Sequence, residues 1–148
     1  MTDIQMSLPG VDEPARLTTD NAASSYGIPV LVVGESGGAY GPGDLLMGRT
    51  VSELVYEWAR RNARDLSEAH VRSVRSYLSQ RSDGPQIETG YLMRRRRLRL
   101  GLTQAAAAER TDMSQGRWGD IEHDKGSPTV TTLERVATVL ECGVRDLV

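Results

Sequence analysis

Residues 102–122, LTQAAAAERTDMSQGRWGDIE, constrain the fold more than any other stretch of this 148-residue chain. Thr103 and Ser114 each stand directly before a run of helical character, where a hydroxyl can accept a free N–H of the first turn. The first run holds four consecutive alanines, the residue with the best helix propensity and the smallest methyl-bearing side chain, so another helix must pack very close to it. Only Thr111-Asp112-Met113 separates the two runs. The second run carries Trp118 and Ile121 for an interior.

The flanks continue the pattern. YLMRRRRLRLG, residues 91–101, reads as a helix that stops on Gly101, a residue suited to a left-handed C-cap. After the second run, Pro128 and Thr129 open a further helix with Val130, Leu133, Val136, Ala137 and Leu140 at helical spacing, and Val144 and Leu147 mark a last short one. Four consecutive helical residues cover about 300° of the helix circumference, so Arg94 to Arg97 cannot share one solvated face. Met93, Arg97 and Leu100 fall at i, i+4 and i+7, which turns Arg97 inward. A basic localisation tag is the weaker reading of this run.

Upstream the texture differs. Residues 1–25 mix Pro, Gly, Asp, Thr and Ser at no fixed period and read as a flexible tail. Residues 26–80 read as a small α+β module of a hairpin plus two helices. A β-rich run follows Pro29, which places that strand near a sheet edge. Thr50 and Glu53 then have capping-box spacing before Val51, Leu54, Val55, Trp58 and Ala59, and Val71, Val74 and Leu78 share a face of a second helix. RSDGPQIETG, residues 81–90, reads as the linker to a second domain at 91–148. The fold class is therefore mainly α, with five helices in the C-terminal domain.

Charge is uneven: residues 1–89 carry 8 arginines against 12 acids, while residues 90–148 carry 10 basic side chains against 8 acids. Any affinity for polyanions belongs to the C-terminal part. Gly34 to Gly38 spells the G-x-S-x-G of a hydrolase elbow around Ser36. No helix follows at once, however, and neither His70 nor His123 has a route to Ser36, so a β-turn is the better reading and the chain is read as no enzyme. His123 has no second ligand at metal spacing, and no metal or cofactor is expected. The lone Cys142 cannot form an internal disulfide and is assigned to the core. No apolar run approaches the ~20 residues of a bilayer span, and no signal-peptide order opens the chain, so the protein reads as cytoplasmic, with no membrane partner.

Two short helices joined by three residues, the second capped by serine, describe a helix-turn-helix, whose second member can enter the major groove. Residues 92–148 resemble the lambda-repressor-like (Xre/Cro type) DNA-binding domains. The resemblance rests on Arg97, Gly101-Leu102-Thr103-Gln104, Ala108, Ser114, Trp118, Ile121-Glu122, Pro128, Leu133, Ala137, Leu140 and Leu147 at matching spacing. The chain departs from that pattern at Asp124, where glycine is common, and at Ala107, where a larger aliphatic is usual. Gly116 and Gly119 also loosen the second motif helix.

The resemblance implies base-reading positions at Gln104, Gln115, Gly116 and Arg117; glutamine can pair with adenine and arginine with guanine. Asp120, one turn on, can accept from cytosine or repel a wrong approach. Phosphate contacts are expected from Thr103, Ser114, Lys125, Ser127 and Thr129, with Arg94 among the arginines able to line the DNA side. The resemblance also implies a structural, partly buried ion pair between Arg97 and Glu122. The implied function is a sequence-specific transcriptional regulator, a dimeric repressor on a two-fold double-stranded operator. The alternative is an antitoxin-like protein whose N-terminal module binds a protein partner while the C-terminal domain regulates its own promoter.

Overall fold

The computed structural model describes residues 3–19, 28–34 and 38–148. The chain divides into two compact units, one holding the described residues up to 62 together with 66–86, the other 63–65 and 87–148.

The first unit is built on an antiparallel sheet of β1 (Ile4–Met6), β2 (Ala15–Thr18), β3 (Val30–Val33) and β4 (Gly38–Tyr40), in that spatial order. Its registry explains its core. Ile4, Leu17 and Leu31 stand opposite one another, as do Met6, Ala15 and Val33, so one face collects six apolar side chains, all buried. Residues 3–19 therefore do not form a tail. Scattered in sequence, Ile4, Met6, Ala15 and Leu17 alternate only within three- and four-residue strands, too short for a periodic signal. β3 is likewise an interior strand, flanked by β2 and β4, and Pro29 is tolerated because it precedes the ladder instead of interrupting it. Ser36 lies outside the described residues.

A two-stranded ribbon, β5 (Leu45–Leu46) with β6 (Arg49–Thr50), leads straight into α1 (Val51–Arg61). Val51, Leu54, Val55, Trp58 and Ala59 are buried along it, as their spacing predicts. The capping box is not formed: Thr50 makes no side-chain cap, and Glu53 instead faces Arg49 at 3.8 Å. α2 (Glu68–Ser79) is capped by Ser67, which accepts from the His70 amide, and buries Val71, Val74, Tyr77 and Leu78. The Tyr77 hydroxyl donates to the Tyr40 carbonyl at 2.7 Å, tying helix to sheet; burial, and then Asp44, pushes its phenol well above the ordinary range. The Gly/Pro stretch after α2 is folded back, since the Gln86 amide donates to the carbonyls of Leu78 and Arg81 at 3.0 and 2.7 Å. The first unit is thus a sheet, a ribbon and two helices, richer in strand than a single hairpin.

The second unit contains α3 (Thr89–Arg99), α4 (Gln104–Arg110), α5 (Gln115–Glu122), α6 (Val130–Val139) and a 3₁₀ turn, Val144–Leu147. The expected fifth helix is that 3₁₀ turn. Met93, Ala107, Ala108, Trp118, Ile121, Val136, Ala137, Leu140 and Leu147 make the core, with Cys142 half-buried against it. Burial raises the Cys142 thiol above its usual value. Ala107 and Ala108 are fully enclosed, so the small faces of α4 are filled by neighbours and not by side-chain bulk of their own.

All four helices end in the same way. The amides of Leu102, Met113, Lys125 and Cys142 reach back to the carbonyls of Arg97, Ala108, Asp120 and Ala137 at 2.8 to 3.0 Å. The residue before each takes a positive φ: Gly101 at 72°, Asp112 at 56°, Asp124 at 56° and Glu141 at 57°. These are Schellman closures, which satisfy carbonyls the helix leaves open. Only Gly101 is a glycine, the others accepting the left-handed region despite a Cβ. At Asp124 the exit turn of α5 therefore keeps the backbone shape that glycine commonly supplies.

Candidate nucleic-acid interface

The two motif helices are fixed by their caps. Thr103 accepts from the Ala106 amide at 3.0 Å and opens α4; Ser114 accepts from the Arg117 amide at 3.1 Å and opens α5. The turn between them is closed from outside the motif, because Arg135 of α6 donates to the carbonyls of Thr111 and Asp112, the latter at 3.4 Å. The Thr111 hydroxyl also bonds back to the carbonyls of Ala107 and Ala108, both at 2.9 Å.

On α5 one face is interior and the other is open. Trp118, Ile121 and Glu122 are buried, while Gln115, Gly116, Arg117 and Asp120 are exposed. Apart from its chain neighbours and its own helix backbone, no atom of the described residues lies within 4 Å of the place where a Cβ would stand on Gly116. Lys125, Ser127 and Thr129 are exposed in and beside the loop to α6, where Thr129 accepts from the Thr132 amide at 3.1 Å. Arg94 is half-buried, and Gln104 is not a free outward side chain: its amide donates to Glu122 Oε1 at 3.2 Å.

Behind this surface sits a buried carboxylate with three kinds of donor. Arg97 Nε and Nη2 reach Glu122 Oε2 and Oε1 at 2.6 and 3.1 Å, the indole of Trp118 donates to Oε2, and Gln104 donates to Oε1. Arg97 spends a further donor on the Leu102 carbonyl at 2.8 Å, tying α3 to the entry of α4. Side-chain exposure is 6% for Arg97 and 0% for Glu122, so the pair is fully enclosed and not partly so. Burial alone would raise the Glu122 carboxyl, but the bonds from Arg97, Trp118 and Gln104 outweigh it and hold it below the usual glutamate range.

Several of these partners are invisible in the sequence. Arg95 is buried as well as Arg97, while Leu100, on the face argued to be interior, is 39% exposed. The helix reaches its last turn there and Leu102, not Leu100, packs on the core. Asp124 Oδ1 accepts the Gly90 amide at 2.9 Å, and the His123 ring lies 2.8 Å from its own Gly119 carbonyl. Among the described residues no group of three or more metal-ligating side chains comes together, and no helix of the described chain is long and apolar enough to cross a membrane.

A pair of short capped helices, the second with a buried inner stripe and a polar open face, is the arrangement of a helix-turn-helix domain. In agreement with that, residues 88–148 match the family model described as a helix-turn-helix domain. No curated protein and no solved structure matches the chain.

Proposed function

We propose that the chain is a sequence-specific DNA-binding regulator of the Xre type, acting as a homodimeric repressor on a two-fold operator. The observation that carries this reading is the open first turn and a half of α5. Gln115, Gly116, Arg117 and Asp120 are exposed together on a helix whose opposite face is locked into the core. Arg117 offers two parallel donors to a guanine edge, Gln115 a donor and an acceptor to adenine, and Gly116 lets the backbone approach. Thr103, Ser114, Lys125, Ser127, Thr129 and Arg94 supply the contacts to phosphate that set register, the helix N-termini adding amide donors. Gln104, whose amide donates to Glu122 Oε1, contributes its remaining polar atoms beside α5.

Substitution separates the two kinds of contact. Arg117→Ala should lose about 1–3 kcal/mol of discrimination at one base position while leaving affinity for random DNA nearly unchanged. Lys125→Ala should weaken binding to every sequence and lower the slope of log affinity against log salt by about one. Fluorescence anisotropy on a selected site and on a scrambled duplex, across a salt series, reads both. Unchanged affinities for both variants would remove the DNA-reading assignment of this face.

A further inference from the structure

We infer that Asp124 is a positioning residue for DNA reading, whose carboxylate fixes the angle at which α5 is presented; the inference rests on the DNA-binding reading above. α5 is eight residues long and contains Gly116 and Gly119. Each glycine lowers helix propensity relative to alanine, and an eight-residue helix does not hold itself in water. Its direction must come from its packed inner face, Trp118 and Ile121, and from what grips its exit. The inner grip is Glu122, held by Arg97, Trp118 and Gln104.

The second grip is at the exit. The N-cap of α3, Glu88, makes no side-chain bond to its own helix, and the open Gly90 amide donates to Asp124 Oδ1 at 2.9 Å instead. A carboxylate at a helix N-terminus is favoured by the helix dipole as well. Gly90 leaves no slack on the other side: a Cβ there would stand 2.4 Å from the Glu122 carbonyl oxygen and 2.8 Å from that of Ile121. The start of α3 and the end of α5 thus meet backbone to backbone, clamped by one side-chain bond. The φ of Asp124 is 56°, a region that glycine also occupies readily, so the carboxylate can be removed there without straining the backbone.

The lever arm makes a small slip costly. Eight helical residues span about 12 Å, so a tilt of about 5° at the exit moves the Gln115–Arg117 end by about 1 Å, enough to break a bidentate bond to a base. Contacts to phosphate, made by flexible side chains and loops, tolerate such a shift. Loss of the clamp should therefore lower selectivity more than it lowers general affinity.

The test uses the full chain as Asp124→Gly, which removes the carboxylate while easing the backbone, and as Asp124→Asn, which keeps an acceptor at the same reach. Affinities for the selected site and for random duplex are measured well below the melting temperature, beside amide hydrogen exchange. D124G should lose about tenfold in the ratio of selected to random affinity, with random affinity changed less than twofold. The amides of Ile121 and Glu122 should exchange at least fivefold faster, and D124N should restore most of both. If D124G keeps the ratio, or loses both affinities together as a less folded protein would, the positioning role is wrong. A wild-type chain that prefers no sequence would instead remove the DNA-binding reading, and this inference with it.

Discussion

Glu122 has no exposed side-chain surface and yet its carboxyl is held below the usual glutamate range by its donors. Breaking a buried pair by removing one member typically costs about 3–5 kcal/mol, since the remaining charge is left without a partner. Glu122→Ala should lower stability by an amount of that order and depress the melting temperature; a melt indistinguishable from wild type would show that the cluster is not structural. The same group gives a pH dependence. Its carboxyl is depressed in the folded state, so its contribution is complete above the ordinary glutamate range and is lost as pH falls through the depressed value. Urea unfolding should show that loss in wild type, and a shallower acid dependence in Glu122→Gln. Gly90 is the second residue on which much rests. A methyl group there meets the Glu122 carbonyl at 2.4 Å, closer than any relaxation of a flexible side chain could relieve, so Gly90→Ala should destabilise the unit by about 2 kcal/mol or more. An alanine variant with wild-type stability would mean that the two helix ends can part without cost.

At the scale of single elements, what the sequence made legible was local and what it hid was not. Thr103, Ser114 and Thr129 cap their helices through bonds of 3.0 to 3.1 Å within three residues of themselves, and such bonds are written in the spacing. The buried side of Arg97 follows from helical period, and its partner from family resemblance. Arg135 on the Thr111 carbonyl and Asp124 on the Gly90 amide join residues 24 and 34 positions apart, and no periodicity announces them. Strands β1 and β2 were hidden for a related reason: their stability comes from cross-strand neighbours, β2 for β1 and both β1 and β3 for β2, not from any run of their own. The glycines of α5 are visible in sequence, but their meaning needs the surroundings. Gly116 faces open space, so Gly116→Ala should gain up to about 1 kcal/mol of helix stability in the free protein. On the proposed reading it should also weaken operator binding, because the added methyl stands between the backbone and the DNA; a variant both more stable and equally tight would assign Gly116 to no contact.

For the molecule as a whole, the division of labour follows charge and packing. The C-terminal unit carries the net positive balance, the capped motif and the open face of α5, all within residues matched as a helix-turn-helix domain. The N-terminal unit has its own sheet-and-helix core, and on the proposed reading it supplies either dimerisation or the surface for a protein partner. A dimer presents two copies of α5 about one helical turn apart along the duplex, which makes a geometric demand on the DNA. Selection of bound duplexes from a random pool by the full chain tests this most directly. The expected result is enrichment of an inverted repeat whose half-sites lie about 10 base pairs, or a multiple, apart, with Arg117→Ala relaxing the same position in both halves. A pool that shows no enriched sequence, or one whose preference is untouched by Arg117→Ala, would mean that α5 does not read DNA sequence.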